Sequence, residues 1–172
     1  MPDQIIKTRS PEQIEAARNL VWEFFDFLKS RYSEMTGEID GYIKDRNVAE
    51  ELERFGDYFL PPKGECFLAF HQGEPAGLVM LKPHGAGDGE LNRMYVRDTA
   101  RGHKIGRSLA QAVVAEARAF GYRTLWLDAI YRHVEALPLY ESLGFQRYTD
   151  SSAFGGEDAR FIHMKLTLNT PE

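Results

Sequence analysis

The sequence predicts an α/β fold in which helices flank a mixed β-sheet. Strand-like and helix-like hydrophobic patterns follow one another in the order β-α-α-β-β-β-α-β-α-β-β, so strands outnumber helices. Strand–helix–strand units lie in the middle of the chain, which together with the flanking strands implies a mixed sheet. The 172 residues, 43% of them hydrophobic, are most simply one domain with an ordinary core.

Charge and composition limit the class of protein. The net charge of −5 argues against broad nucleic-acid binding. No apolar run approaches a membrane span, and the N-terminal residues lack the basic and apolar regions of a signal peptide. The single cysteine, Cys66, excludes an internal disulfide bond. We therefore expect a cytoplasmic protein with neither nucleic-acid nor membrane partners.

The N-terminal region predicts a short strand followed by a long helix. Residues 4–8 form the strand. Ser10, Pro11 and Gln13 mark the helix start, because serine caps a helix, proline suits its first turn and glutamine completes a capping box. Apolar residues then recur at helical spacing to about Tyr32.

The next region predicts further helix and a hairpin. Residues 33–44 are polar and are expected to form a loop or a short helical piece, and residues 47–59 are expected to form one helix. Two strands at 65–71 and 76–82 are joined by a hairpin turn at 72–75.

Strands and helices alternate in the second half of the chain. The elements are a strand at 90–96, a helix at 105–120 closed by Gly121, a strand at 124–129, a short helix through Val134 and Leu143 closed by Gly144, and strands at 145–148 and 160–168. Pro138 would remove a hydrogen bond inside a helix that began at His133. The short helix is therefore expected to begin later or to be irregular.

A basic, glycine-containing turn joins the strand at 90–96 to the helix that follows it. It contains Gly102 and Gly106 together with Arg101, Lys104 and Arg107. The first backbone N–H groups of a helix lack internal partners, and the helix dipole favours an anion there. The turn therefore predicts phosphate or pyrophosphate binding, although it matches neither the nucleotide P-loop nor the dinucleotide-binding glycine pattern.

Two motifs resemble those of one enzyme family. Residues 101–106, Arg-Gly-His-Lys-Ile-Gly, follow the pattern R/Q-x-x-G-x-G/A, with Lys104 where glycine is usual. Residues 139–145 read L-Y-x-x-x-G-F, and Ala136 precedes them by three positions. In this order and spacing the motifs resemble the acyl-CoA loop and the later helix of the GCN5-related N-acetyltransferase (GNAT) superfamily. The resemblance covers roughly residues 66–168.

The resemblance implies a particular version of the predicted fold. It implies a central, mostly antiparallel sheet of about seven strands flanked by helices, with a parallel pair of strands at the cofactor cleft. It also implies that, within a single domain 1–172, residues 65–168 are the acyl-CoA-binding core. Residues 1–64 would then be the variable helices on the acceptor side.

The resemblance also implies acetyl-CoA as co-substrate and assigns residues to it. Backbone groups of the strand would bind the pantetheine arm, and the amides of the turn would hold the pyrophosphate. His133 stands where many members have a cofactor-contacting asparagine. The implied cofactor-binding residues are Met94, Tyr95, Val96, Arg101, Gly102, His103, Lys104, Ile105, Gly106, Arg107 and His133. Tyr140 resembles the family tyrosine that protonates the departing thiolate, a task that suits a phenol.

Amine acylation also needs an oxyanion donor and a base. The backbone N–H of Tyr95 or Val96 could serve the oxyanion. Glu90 lies six residues before Val96, on the same strand face, and is our hypothesis for the general base; the alternative is an exposed residue at the strand start. Asp128 could face the cleft or cap the next turn, and His163 is expected to be a core histidine.

Two further expectations concern metal and function. The five histidines and Cys66 have no metal-ligand spacing, so no metal site is expected. The leading hypothesis is an N-acetyltransferase that moves an acetyl group from acetyl-CoA to a primary amine of a small molecule or peptide, by direct attack in a ternary complex. A non-catalytic acyl-CoA sensor and an unrelated phosphate-binding protein are the alternatives. A homodimer is common in the family, but no residue specifies one.

Overall fold

A seven-stranded sheet forms the centre of the computed structural model, which describes residues 3–130, 136–148 and 161–168. The strands are β1 (Gln4–Lys7), β2 (Glu65–His71), β3 (Glu74–Pro83), β4 (Gly89–Val96), β5 (Thr124–Ile130), β6 (Gln146–Tyr148) and β7 (Phe161–Thr167). The helices are α1 (Pro11–Arg31), α2 (Thr36–Asp45), α3 (Val48–Glu53), α4 (Phe55–Phe59), α5 (Ile105–Ala119) and α6 (Leu137–Ser142). Short 3-10 turns occur at Ser33–Met35 and Asp98–Ala100.

The strand order is β1-β2-β3-β4-β5-β7-β6. β4 and β5 run parallel, and the other neighbouring pairs are antiparallel. This confirms the expected fold class, a mostly antiparallel sheet of seven strands with one parallel pair. The sequence predicted the positions of all seven strands, with bounds that differ by a few residues.

The parallel pair is short because β4 is distorted in its middle. β4 pairs with β5 only at Gly89 and Glu90 among the described residues. On its other side the register with β3 shifts, and Arg93 and Met94 stand opposite the single residue Val79. Arg93 has a φ of 53°, which lies in the left-handed region. A bulge of this kind bends a strand, so β4 and β5 diverge after their first two paired residues.

The two faces of the sheet carry separate hydrophobic layers. On one face α5 packs through residues such as Ile105, Leu109 and Val113 against β2, β3 and β4. On the other face α1 to α4 pack through residues such as Leu20 and Phe59. Alternate residues of each strand point to opposite faces, so one sheet supports both layers.

Three helices differ from the expectation or refine it. The capping box at Ser10 and Gln13 is present and α1 begins at Pro11, as predicted. Residues 33–44 were expected to form either a loop or a short helical piece, and most of them belong to the helix α2. The single helix predicted at 47–59 is wrong, because α3 ends at Glu53 and α4 begins at Phe55. Arg54, between them, has a ψ of 43° that breaks the helical repeat.

The short helix α6 resolves the conflict over Pro138. α6 begins at Leu137, which places Pro138 in its first turn, where no internal hydrogen bond is lost. The predicted start near His133 and Val134 lies outside the described residues. Within the part of the chain that the structure describes, no helix is both long and apolar enough to cross a membrane.

Gly77 allows β3 to approach the distorted half of β4, and we expect its replacement to disturb that half. A Cβ atom on Gly77 would lie 2.6 Å from the Tyr95 carbonyl oxygen and 3.3 Å from the Val96 Cα atom. Gly77→Ala should therefore lower the free energy of unfolding by about 1–3 kcal/mol, measured by urea denaturation.

Gly41→Ala is the matched control for this prediction. Gly41 lies inside α2, and a Cβ atom there meets no heavy atom within 4 Å. The control should be neutral or stabilising by about 0.5–1 kcal/mol, because alanine favours helix. Equal effects of the two substitutions would contradict the close packing at Gly77.

Candidate functional site

The basic turn forms the N-terminal approach to α5. It follows the 3-10 turn Asp98–Ala100, and residues 101–104 are exposed. Lys104 is the N-cap residue, with a φ of 62° and no side-chain capping hydrogen bond. The first amides of α5 therefore receive no capping bond from the Lys104 side chain, a property that an anion site at a helix N-terminus requires.

The conformation of Lys104 explains why glycine is usual at this point of the motif. A φ of 62° is left-handed, and a side chain makes this conformation unfavourable for residues other than glycine. Lys104 adopts it nevertheless, so the departure from the motif changes the side chain but keeps the backbone course of the turn.

A cleft lies between the turn, the end of β4 and α6. This loop-side cleft has a volume of about 230 Å³. Its lining residues are Met94, Tyr95, Val96, Ala100, Arg101, Gly102, Lys104, Ile105, Gly106, Ala136 and Leu139. Eight of the residues expected to bind the cofactor are thus brought together, where β4 has separated from β5.

The other residues expected to bind the cofactor lie elsewhere. The ring of His103 packs against His71 with ring centres 4.4 Å apart. Arg107 donates a hydrogen bond to the Ser142 hydroxyl at 3.1 Å, at the rim of α6. His133 lies outside the described residues.

A second cavity, the inner cavity, lies deeper between the helices and the sheet. It has a volume of about 90 Å³. Its lining residues are Phe24, Phe25, Leu28, Met35, Glu38, Ile39, Tyr42, Leu91, Arg93, Met94, Leu127, Asp128, Ala129, Ala136 and Tyr140. Met94 and Ala136 also line the loop-side cleft, so the two spaces adjoin across the gap between β4 and β5.

Tyr140 lies where the sequence motif placed it, on α6 at the inner cavity. Its side chain is buried and its ring makes an edge contact with Phe145, with ring centres 5.7 Å apart. Burial raises the pKa of the Tyr140 phenol. The group therefore holds its proton at neutral pH, as a general acid must.

Glu90 is buried rather than exposed, against the alternative considered for it. Its carboxylate oxygens lie 3.7 Å from an Arg46 guanidinium nitrogen and 3.8 Å from His84 Nδ1. Burial by itself raises the pKa of Glu90, but His84, Lys82 and Arg46 outweigh it, so that the pKa lies below its ordinary value. Glu90 is therefore ionised at neutral pH, and it is not among the residues that line the inner cavity.

Asp128 faces the inner cavity, which decides between the two positions considered for it. One carboxylate oxygen accepts a hydrogen bond from Arg46 at 3.1 Å, and the other is 2.6 Å from His163 Nδ1. His163 is buried, as expected for a core histidine, and its Nδ1 is paired with the Asp128 carboxylate.

Arg46 and Arg93 also belong to the candidate site, although their places in the sequence did not predict it. Arg46 directly follows α2 as its C-cap residue and sits between the two carboxylates of Glu90 and Asp128. Arg93 comes from the β4 bulge and lines the inner cavity. No sequence motif identifies either residue, because the residues next to an arginine in the sequence do not show whether its side chain is buried or exposed to solvent.

One group of residues has the composition of a metal site. Asp3, His71 and His103 place one potential ligand atom each within 4.8 Å of one another, and Asp3 and His103 are exposed. His71 Nδ1 is already 2.7 Å from an Asp3 carboxylate oxygen, so a hydrogen bond accounts for that part of the cluster. The expectation of no metal site stays a prediction.

Sequence comparison identifies the family that the two motifs resemble. Residues 15–145 match the acetyltransferase (GNAT) family, so the chain belongs to this family. An uncharacterized N-acetyltransferase of Schizosaccharomyces pombe is 27% identical over 161 residues, which cover 92% of this chain and 98% of that protein.

Two further likenesses are more limited. N-acetylaspartate synthetase of Mus musculus is 35% identical over 117 residues, which cover 67% of this chain and 37% of that protein. The structure of PaiA N-acetyltransferase from Thermoplasma acidophilum, in complex with coenzyme A, covers 97% of this chain and 99% of its own. Its TM-score is 0.71 and its identity 18%, so this likeness shows the fold. The family inferred from the two motifs is confirmed.

The strain at Lys104 can be measured with a pair of substitutions. Lys104→Gly and Lys104→Ala both remove the ammonium group, but only glycine relieves the left-handed backbone. We expect the glycine variant to unfold with a free energy roughly 0.5–1 kcal/mol higher than that of the alanine variant, measured by chemical denaturation. Equal stabilities would mean that the turn does not hold this conformation.

Proposed function

We propose that the protein is an N-acetyltransferase that moves the acetyl group of acetyl-CoA to a primary amine by direct attack in a ternary complex. The observation that carries this proposal is the meeting of the two spaces. The loop-side cleft has the anion-binding turn at one end, and the inner cavity contains Tyr140 and Asp128. They adjoin at Met94 and Ala136, so a thioester reaching through the first could meet an amine held in the second.

The residues of the loop-side cleft suit acetyl-CoA. The backbone of residues 102–106 and the N-terminus of α5 would bind the pyrophosphate, with Lys104 supplying charge. The open edge of β4 would offer backbone groups of Met94 and Val96 to the pantetheine arm, because β5 does not pair with them. The backbone N–H of Tyr95 or Val96 remains our candidate for the oxyanion.

Tyr140 is proposed as the general acid. It borders the inner cavity four residues after Ala136, which lines both spaces, and its raised pKa keeps the phenol protonated. Protonation of the departing thiolate would prevent the reverse attack and release CoA. A phenol at this place also favours the enzyme over the non-catalytic sensor, which needs no acid.

Glu90 remains the proposed general base, and Asp128 is a second candidate. Glu90 is ionised and lies beneath the site, but it contacts Arg46 and His84 rather than the cavity. Asp128 lines the cavity directly and is coupled to His163. Either carboxylate could take the amine proton, Glu90 only through an intervening group such as a water.

The acceptor is proposed to be a small molecule or peptide bearing a primary amine. The inner cavity is small, and seven of its fifteen lining residues come from α1, α2 and the 3-10 turn between them, which supports the assignment of residues 1–64 to the acceptor side. Residues 65–168 supply the turn and the strands of the loop-side cleft. The name of the mouse relative, N-acetylaspartate synthetase, is that of an enzyme with a small-molecule product.

Tyr140→Phe tests the proposed acid. We expect kcat for release of CoA thiol to fall by about 100-fold or more, with little change in the KM for acetyl-CoA, because only the proton donor is lost. Tyr58→Phe is the matched control, since Tyr58 lies on α4 and lines neither space. Undiminished turnover in Tyr140→Phe would remove Tyr140 from the mechanism.

Glu90→Gln and Asp128→Asn separate the two candidates for the base. The variant that lacks the true base should lose about 100-fold in kcat and should also lose the fall in activity that the wild type shows as pH drops through the pKa of that carboxyl. For Glu90 this fall lies on the acid side of the ordinary glutamate range, because its pKa is lowered. Two variants with wild-type pH–rate profiles would exclude both carboxylates.

A further inference from the structure

Arg93 is a buried arginine at the inner cavity with part of its guanidinium unsatisfied. Its side chain is 3% exposed and it lines the cavity. Its Nε and Nη1 atoms are buried and have no hydrogen-bond partner. Arginine stays protonated in proteins, and burying its N–H groups without acceptors is costly. A buried cation of this kind therefore indicates a binding partner that the protein itself does not supply.

The protein neighbours of Arg93 do not satisfy it. The remaining nitrogen, Nη2, lies 4.0 Å from a carboxylate oxygen of Glu51. Glu51 accepts closer hydrogen bonds from Lys82, at 3.1 and 3.2 Å, so its charge is already compensated there. On another side the Arg93 guanidinium lies over the Phe59 ring, with its Cζ atom 5.8 Å from the ring centre. This cation–π contact supplies no oxygen or nitrogen atom that could accept a hydrogen bond.

The backbone fixes the position of Arg93. Arg93 sits in the bulge of β4 with a φ of 53°, an unfavourable conformation for a residue with a side chain. A bulge re-aims a side chain away from the regular alternation of a strand. The same distortion that separates β4 from β5 therefore also sets Arg93 at the wall of the inner cavity, where the acceptor is proposed to bind.

We propose that Arg93 binds a carboxylate of the acceptor, so that the acceptor is a small amino acid or related aminocarboxylate. Arg93 lines the inner cavity, and a carboxylate bound there would accept charge-assisted hydrogen bonds from its guanidinium, which the protein leaves short of acceptors. Asp128 and Tyr140 line the same cavity and would face the amine end. This assignment rests on the proposed acetyltransferase function and names the substrate class of that same site.

The volume and the charges of the cavity agree with this class. A space of about 90 Å³ suits a compact group rather than a long chain. Its wall contains the cation Arg93 and the anions Asp128 and Glu38, which complements a molecule with both an amine and a carboxylate. A simple alkylamine or polyamine would leave Arg93 unpaired and would place a second positive charge beside it.

Matched pairs of amines test the proposal on the wild-type protein. Release of CoA thiol from acetyl-CoA is measured with L-alanine and L-alaninamide, β-alanine and β-alaninamide, and L-aspartate and L-asparagine amide. We expect kcat/KM for the preferred carboxylate to exceed that for its amide by about 10- to 100-fold, the range of a hydrogen bond to a charged group. Propionate or succinate should inhibit competitively against the amine.

Two substitutions locate the effect at Arg93. Arg93→Met should remove the preference for the carboxylate, so that kcat/KM for the acid falls at least 10-fold more than kcat/KM for its amide, and Arg93→Lys should retain part of the preference. Arg54→Met is the matched control, because Arg54 is an exposed arginine paired with Glu50 and Asp57. A purely structural role for Arg93 would lower turnover of acids and amides alike.

The outcomes separate this inference from the proposed function. Turnover of amides or simple amines as fast as carboxylates, or a preference that survives Arg93→Met, would overturn the inference and leave the acetyltransferase standing. No turnover with any amine would contradict the proposed function. In that case thermal shift of the CoA-loaded protein decides the inference: stabilisation by the amino acids but not by their amides supports it, and equal or absent stabilisation overturns it.

Discussion

The separation of β4 from β5 is the constraint on which the rest of this structure depends. Parallel strands that pair along their whole length would leave no room between them and would satisfy each other's backbone groups. Here the pairing ends after Glu90, because the bulge at Arg93 and Met94 bends β4 away. The gap creates the adjoining spaces and leaves a strand edge free to bind an extended ligand, much as a sheet accepts an added strand.

The polar residues beneath the gap form a connected network. Arg46 lies between Glu90 and Asp128, and Asp128 is held on its other side by His163. Buried charges are tolerated when each has a partner, and removing one partner is far more costly than never having had the pair. The network therefore fixes the position of Asp128 at the cavity wall. Arg46 also helps His84 and Lys82 to lower the pKa of Glu90, since these groups together outweigh burial there.

In the turn before α5, the backbone and the side chain of Lys104 have different roles. An anion bound at a helix N-terminus is held mainly by amides and by the helix dipole, neither of which depends on the side chain at Lys104. The motif can therefore lose its glycine at this position while the left-handed backbone persists. The cost is local strain, and the ammonium of Lys104 adds a charge of the right sign for a phosphate.

The sequence by itself determined the seven strands, the long helices α1 and α5, the basic turn before α5 and the position of Tyr140. Each of these depends on residues close together in the chain, so spacing and capping patterns reveal them. Only the tertiary structure decided how α3 and α4 divide, which carboxylate faces the cavity, and that Arg93 is buried and partly unsatisfied. Asp128 meets Arg46 across 82 residues and His163 across 35. Contacts between such distant residues, and the burial that gives them their energy, arise only when the sheet and both helical layers have assembled.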